Sequence, residues 1–261
     1  MLHFPDIDPV AIHLGPLSIR WYGIMYLLGL VVAWMLARYR LRKGYVNLNE
    51  KQLNDLIFYG MLGVVLGGRI GYILFYQWSV FIQEPLILFQ VWHGGMSFHG
   101  GFAGVVISTL LYARKLRIPF FRLADFIAPC IPPGLGFGRL GNFIGGELWG
   151  RTTELPWGMV FPHVDKLPRH PSQLYQFILE GLVLFIVLWW FSSKKPPRMA
   201  VSGMFLLCYG GFRFLIEFVR APDQHIGFIA FNWMTMGQLL SLSMILPGIF
   251  LLYRSYSVYT K

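Results

Sequence analysis

The sequence has little charge and almost no cysteine. Only 13% of its 261 residues are charged, about half of the roughly 25% that is usual in soluble domains. Its two cysteines, Cys130 and Cys208, lie in the middle of apolar runs and offer neither a disulfide framework nor a metal-ligand spacing. The 7 histidines show no pair at the i, i+4 spacing of a helical zinc site. We therefore expect no metal, no cofactor and no ordinary soluble domain.

Long apolar runs dominate instead, and 56% of the residues are hydrophobic. About seven runs are long enough to cross the roughly 30 Å hydrocarbon core of a bilayer. They cover residues 21–37, 53–78, 94–113, 123–143, 174–191, 201–218 and 234–253. The predicted fold is all-α: a polytopic membrane bundle of about seven transmembrane helices, forming a single integral membrane domain over residues 1–261. The segment 145–172, rich in Pro, Trp and charge, is predicted to form a small extracytoplasmic cap within it.

The basic residues are spread between the apolar runs. The formal net charge is +10, but these residues do not form one stripe, which argues against nucleic-acid binding. Lys and Arg are more numerous in the segments after the first, third, fifth and last runs than in the others. Because short cytoplasmic loops are enriched in Lys and Arg, the amino terminus is predicted outside and the carboxyl terminus in the cytoplasm.

Glycines recur every fourth residue in three of the predicted helices. Gly63, Gly67 and Gly71 form one such series, Gly100 and Gly104 form a second, and Gly134 and Gly138 form a third. Small residues at this spacing allow helices to approach closely in lipid. We interpret them as packing contacts.

Polar residues fall within or beside the apolar runs. A charged side chain inside a span costs at least about 2.5–3.5 kcal/mol, so each is a functional candidate. The predicted topology places one set near the outer ends of the helices, whereas Asp125 and Glu180 fall elsewhere. The set is Tyr22, Arg69, His99, Arg139, Asn142, Glu147, Arg213, Glu217 and Arg220.

Two interpretations of the arginines are open. Arg213 and Glu217 are four residues apart on one helical face, so the pair could simply neutralise itself. Several arginines with few partners at one depth favour an anionic ligand, most simply a lipid phosphate, which arginine binds with two parallel hydrogen bonds.

His99 lies in the glycine-rich stretch Gly94-Gly-Met-Ser-Phe-His-Gly-Gly. A lone histidine at a helix end is commonly structural. The flanking glycines leave this ring accessible, and histidine has a pKa suited to proton transfer near neutral pH.

Several stretches resemble the bacterial prolipoprotein diacylglyceryl transferases. The most specific is Gly138-Arg-Leu-Gly-Asn-Phe-Ile-Gly-Gly-Glu-Leu-Trp-Gly. Others are Arg20-Trp-Tyr-Gly-Ile-Met-Tyr, Gly67-Gly-Arg-Ile-Gly-Tyr, the stretch around His99, Leu167-Pro-Arg-His-Pro-Ser-Gln-Leu-Tyr and Tyr209-Gly-Gly-Phe-Arg-Phe-Leu-Ile-Glu-Phe-Val-Arg. The resemblance covers nearly the whole chain in order.

The resemblance implies an enzyme of the bacterial cytoplasmic (inner) membrane. It would transfer the diacylglyceryl group of phosphatidylglycerol to the lipobox cysteine thiol of a preprolipoprotein. That step forms a thioether, releases glycerol phosphate and begins lipoprotein maturation. The partners implied are phosphatidylglycerol, the lipobox peptide and membrane lipids.

The resemblance, the charged residues within the apolar runs and the chemistry of the reaction together suggest the site. His99, Tyr22, Arg139 and Arg213 are the predicted catalytic residues, with His99 as the base. The predicted substrate-binding residues are Arg139, Asn142, Glu147, Gly150, Glu217, Arg69 and Arg220, with Glu147 and Glu217 orienting the arginines. Gly145 stands where the family usually has asparagine.

Two other classes of membrane protein fit the sequence less well. A transporter or lipid flippase tends to show two related halves and a site at mid-membrane. The sequence shows no internal repeat, and its polar residues lie off-centre. A membrane-embedded lipid phosphatase is disfavoured because no histidine constellation is present.

Overall fold

The computed structural model describes residues 2–15, 17–90, 94–222, 227–231 and 233–259. The longer helices are α1 Trp21–Arg42, α2 Glu50–Tyr76, α4 Phe98–Leu116, α6 Pro132–Ile144, α8 Leu184–Ser193, α9 Ala200–Ile216 and α10 Met236–Tyr259. Shorter helices are α3 Trp78–Gln83, α5 Phe120–Ile127 and α7 Ser172–Gln176, with a π-helix at Phe177–Val183 between α7 and α8. The strands are β1 Leu2–His3, β2 Val10–Leu14, β3 Leu17–Arg20, β4 Met159–Val160, β5 Pro168–Arg169, β6 Phe228–Ala230 and β7 Met234–Thr235.

Four helices are long and apolar enough to cross a membrane: Trp21–Arg42, Glu50–Tyr76, Ser172–Ser193 and Met236–Val258, among the described residues. They coincide with the first, second, fifth and seventh predicted runs, which confirms a helical membrane protein. The third run corresponds to α4, with 19 residues. The sixth corresponds to α9, a shorter apolar helix of 17 residues.

The fourth predicted run is not one continuous helix. Over residues 123–143 the chain forms the end of α5, a 3₁₀ turn at Ala128–Cys130, and most of α6. Pro129, Pro132 and Pro133 lie at this break. Proline lacks the N–H that a helix interior needs, and its ring clashes with the preceding turn. These three prolines thus divide the run into two helices.

The chain forms two compact units. The larger comprises Met1–Leu36 and Ile127–Lys261, and the smaller comprises Ala37–Phe126. In the smaller unit α2 packs against α4 through facing glycines. A Cβ atom added at Gly71 would lie 2.8 Å from the Cα of Gly100, and one at Gly63 would lie 2.6 Å from the Oγ of Ser108. The predicted role of these glycines in close packing is confirmed.

The larger unit is built around α6, α8, α9 and α10. Its apolar core includes Ala128, Leu184, Leu188, Val201, Phe205 and Tyr209. Gly136 on α6 meets Gly181 of the π-helix, where an added Cβ would lie 3.1 Å from the Cα of Gly181. These contacts hold α6, α9 and the 172–193 helix together, and those three elements carry most of the polar residues.

The segment 145–172 folds onto the end of α9. Its strands β4 and β5 pair antiparallel, and β1 from the amino terminus pairs parallel with β4. Gly150 and Arg220 form an isolated antiparallel bridge. The backbone N–H of Arg151 donates to the carbonyl of Val219 at 2.8 Å. This segment, called the cap below, is therefore a small sheet tied to the chain that follows α9, and its extracytoplasmic location stays a prediction.

Candidate active site

Arg139 on α6 forms an ion pair with Glu180 of the π-helix. Its Nε and Nη2 atoms both lie 3.1 Å from the Oε2 of Glu180. The Glu180 side chain is fully buried, and its Oε1 has no hydrogen-bond partner among the described residues. From the sequence, Glu180 lies outside the group of polar residues near the outer ends of the helices, and Glu147 is predicted to orient the arginines. The structure instead makes Glu180 the carboxylate that contacts Arg139.

Glu217 is shared by two arginines at the end of α9. Its Oε1 lies 2.6 Å from Nη2 of Arg213 and 3.1 Å from Nη1 of Arg220. The hydroxyl of Thr235 donates to its Oε2 at 2.7 Å. The predicted Arg213–Glu217 pair is confirmed. Two guanidinium groups therefore converge on one buried carboxylate.

Arg213 keeps hydrogen-bonding capacity. Its Nη1 is buried and has no hydrogen-bond partner within the described part of the chain. Tyr209, one turn earlier on α9, lies close enough to Arg139 and Arg213 to interact electrostatically with both. Arg139, Arg213, Arg220, Glu180 and Glu217 therefore form one group, here called the arginine cluster.

Other predicted residues gather at the carboxyl end of α6. Asn142 is buried, and its Nδ2 approaches the Oε2 of Glu147 at 3.5 Å. Tyr22 on α1 packs against α6, where a Cβ atom at Gly141 would lie 3.1 Å from the Cδ2 of Tyr22. The hydroxyl of Tyr22 donates to that of Tyr26 at 3.1 Å. The structure thus brings Tyr22, Asn142 and Glu147 to one end of one helix.

Gly150 is required by close packing. A Cβ atom there would lie 2.6 Å from the carbonyl oxygens of His170 and Val219. Gly145 is different, because its φ of −74° is open to any residue. A Cβ there would lie 3.7 Å from the Glu147 carboxyl carbon. The side chain that the family usually has at this position would therefore lie beside Glu147.

His99 belongs to the smaller unit. It lies in the first turn of α4, where the Oγ of Ser97 caps the helix by accepting from the N–H of Gly100 at 3.2 Å. Its side chain is exposed and lines a groove of about 780 Å³ between α2 and α4. Apolar residues such as Ile70, Leu74 and Ile107 line most of this groove. The role of His99 as a base stays a prediction.

Arg69, also in the smaller unit, is buried against the segment before His99. Its guanidinium donates to five backbone carbonyls, among them Ile87 at 2.5 Å and Gln90 at 3.0 Å. The others are the carbonyls of Leu88, Gly94 and Gly95. These bonds occupy all of its nitrogen atoms. The geometry favours a residue that holds this segment in place.

Two titratable groups of the cap have shifted pKa values. The Arg169 guanidinium, whose Nη2 lies 2.5 Å from Oδ2 of Asp165, lowers the pKa of that carboxyl. Burial lowers the pKa of His170, so its ring is neutral at neutral pH. The cap therefore contributes an ionised carboxylate and a neutral histidine.

Two buried glutamines were missed by sequence reasoning. Gln173 and Gln176 on α7 are 0% and 1% exposed. The Nε2 of Gln173 donates to the backbone carbonyl of Glu147 at 2.5 Å. The available signal was a pair of amides at the start of an apolar run, where a membrane helix has little use for them.

These features define a class: a helical integral membrane protein whose buried arginines are paired with buried carboxylates. The chain belongs to the prolipoprotein diacylglyceryl transferase family, whose model matches residues 9–254. The resemblance seen in the motifs is thereby confirmed.

Curated relatives are similar over nearly their whole length. A phosphatidylglycerol–prolipoprotein diacylglyceryl transferase from Coxiella burnetii (strain RSA 331 / Henzerling II) is 58% identical over 256 residues, which are 98% of either chain. One from Methylococcus capsulatus is 56% identical over 258 residues, again 98% of each. One from Oleidesulfovibrio alaskensis is 59% identical over 251 residues, 96% of this chain and 94% of its own.

Proposed function

We propose that this chain transfers the diacylglyceryl group of phosphatidylglycerol to the cysteine thiol of a preprolipoprotein lipobox. The observation that carries this is the match at 58% identity over 98% of the chain to an enzyme named for that reaction. The arginine cluster supports it, because guanidinium groups bind phosphate oxygens well and Nη1 of Arg213 has no hydrogen-bond partner among the described residues.

Each residue of the arginine cluster named below has a proposed role in the transfer step. The thiolate sulfur forms a bond to the glyceryl carbon, the bond from that carbon to the phosphate oxygen breaks, and glycerol phosphate leaves with the electron pair. Negative charge grows on the leaving oxygens. Arg139 and Arg213 would stabilise it, and a preorganised donor of this kind supplies about 2.7–4 kcal/mol. Glu180 and Glu217 would fix the two guanidinium planes.

His99 is the proposed base. A free thiol with a pKa near 8.5 is only a few per cent ionised at pH 7, so a base raises the amount of nucleophile. The exposed ring and the apolar groove beside it support this role, since a diacylglyceryl donor needs an apolar path for its acyl chains. Tyr22 and Asn142 would hydrogen-bond the glycerol or ester oxygens.

We also propose the cytoplasmic membrane as the location, with the amino terminus and the cap outside. The excess of Lys and Arg in alternate loops supports this orientation. The lipobox peptide would reach the site from the outer face.

The test is a transfer assay in proteoliposomes that contain radiolabelled phosphatidylglycerol and a lipobox peptide. The wild-type protein should label the peptide and release glycerol phosphate. A peptide with serine in place of the lipobox cysteine should stay unlabelled. Absence of transfer to the cysteine peptide would refute the proposed function.

The same assay tests the base. His99→Gln should lose most transfer at pH 7 and recover part of it as the pH approaches about 8.5, because the thiolate then forms unaided. A defect that persists unchanged at every pH, together with weakened lipid binding, would assign His99 to positioning the lipid.

A further inference from the structure

Gln173 and Gln176 lie beside the arginine cluster but have no part in the mechanism above. α7, which carries both, packs against α6 and α9, the helices of Arg139 and Arg213. Gln173 is bonded to the backbone of Glu147, and Glu180 follows Gln176 by one turn and is bonded to Arg139. The two amides therefore border the proposed donor site.

Most of the hydrogen-bonding capacity of these amides is unused. Neither Nε2 nor Oε1 of Gln176 has a hydrogen-bond partner among the described residues, and the same holds for Oε1 of Gln173. Leaving a buried polar group unsatisfied costs about 1–3 kcal/mol. Glutamines at 0% and 1% exposure cannot recover that energy from bulk water. The arrangement thus calls for a polar group that is bound inside the protein.

The unused atoms indicate what that group is. Oε1 of Gln173, Oε1 of Gln176 and Oε1 of Glu180 are acceptors, so they require a ligand that donates hydrogen bonds. Nε2 of Gln176 is a donor, so the same ligand must also accept. A hydroxyl group does both. Nη1 of Arg213 is a buried donor with no hydrogen-bond partner among the described residues, so it adds a requirement for an acceptor such as a phosphate oxygen.

We propose that Gln173 and Gln176 bind the hydroxyl groups of the donor lipid's glycerol headgroup and so select that headgroup. The proposal rests on the proposed function, which supplies a phosphate with a dihydroxylated glycerol attached. The phosphate lies against the arginines and the two hydroxyls reach the amides. These glutamines are specificity-determining residues, because they contact the leaving group and not the reacting carbon.

The test compares two donors in the proteoliposome assay: phosphatidylglycerol, and phosphatidylpropanol with the same acyl chains and no headgroup hydroxyls. Wild type should favour phosphatidylglycerol in kcat/KM by about tenfold or more, since each hydrogen bond contributes about 0.5–1.5 kcal/mol. Gln176→Met has a similar volume and no amide. It should lower kcat/KM for phosphatidylglycerol about tenfold and leave that for phosphatidylpropanol within about twofold.

The matched control is Gln83→Met at the exposed end of α3, which should keep the wild-type preference. If Gln176→Met fails a thermal-unfolding check, Gln176→Leu is a second apolar replacement that removes the amide without adding a charge. It should show the same selective loss.

Several results would overturn the proposal. An equal loss on both donors would make Gln176 structural, and an unchanged preference would remove it from the site. A wild type that uses both lipids equally well overturns the headgroup assignment alone. A wild type that transfers from neither lipid overturns the proposed function as well.

Discussion

The two units bury arginine in different ways. In the smaller unit, Arg69 is surrounded by backbone carbonyls that take up all of its nitrogens. In the larger unit, Arg213 is paired with a carboxylate that it shares with Arg220, and one of its nitrogens has no partner among the described residues. All nitrogens of Arg69 are hydrogen-bonded to the protein backbone, whereas Arg213 keeps one buried donor that could bond to a ligand.

The difference teaches that burial alone does not identify a ligand-binding arginine. A charged residue in a membrane span is a functional candidate by default. From the sequence, Arg69 and Arg213 are therefore both candidates for ligand binding. What separates them is the number of N–H groups left over after the protein's own acceptors are satisfied. A buried N–H group that the protein's own acceptors leave unpaired is the property that an anion site requires.

The largest effect is expected from Arg213→Lys. Lysine keeps the charge and loses the planar fork that binds two oxygens together. Transfer from phosphatidylglycerol should fall by about 100-fold or more, the usual result of removing one preorganised donor. The measurement is kcat/KM in proteoliposomes. Arg114→Lys, at an exposed position of α4, is the control and should change little. If both substitutions left kcat/KM nearly unchanged, Arg213 would not differ from an arginine outside the ligand site.

A smaller and different effect is expected from Arg69→Lys. The shorter set of donors leaves some of the five carbonyls unsatisfied, at about 1–3 kcal/mol for each buried group. The thermal midpoint in detergent should fall by several degrees. Activity per folded molecule should stay within about tenfold of wild type, well above that of Arg213→Lys. A variant with normal stability and lost lipid binding would restore Arg69 to the ligand site.

The smallest effect is expected from Asp165→Asn in the cap, where the arginine and the carboxylate are both partly exposed. Exposed ion pairs contribute little, so the midpoint at pH 7 should shift by at most about 2 °C. Arg169 lowers the folded-state pKa of Asp165, so the stabilisation is present above the unfolded value of about 3.9 and is lost as the pH falls through the folded value. The thermal midpoints of wild type and variant should therefore begin to converge only below about pH 4 and coincide below the folded-state pKa of Asp165. A difference between the two thermal midpoints that grows as the pH falls would contradict a lowered pKa of Asp165.

The sequence predicts the packing of this protein better than it predicts the site's pairings. Glycines at intervals of four residues predicted the contact between α2 and α4, because that spacing places them on one face of each helix. The Arg213–Glu217 pair was predictable for the same reason. Arg139 and Glu180 are 41 residues apart, and no local period relates them. Their contact depends on how α6 and the π-helix pack, which a single sequence does not specify.

Other features were hidden because they interrupt a regular pattern. The apolar run 123–143 has the composition of one span, yet its prolines divide it into two helices. The amides of Gln173 and Gln176 lie at the start of another apolar run, and their burial became visible only when α7 was seen against α6 and α9.

The π-helix at Phe177–Val183 affects which side of the 172–193 helix each of its residues faces. Six residues at intervals of four, from the cap to the far end, are at most 2% exposed: Ser172, Gln176, Glu180, Leu184, Leu188 and Ser192. In a regular α-helix of 3.6 residues per turn, an interval of four drifts by about 40° each time. The wider turn of the π-helix takes up part of that rotation. Deleting one residue here would turn Gln176 by about 100° relative to Leu184, so the polar and apolar halves of this helix could no longer face the same side.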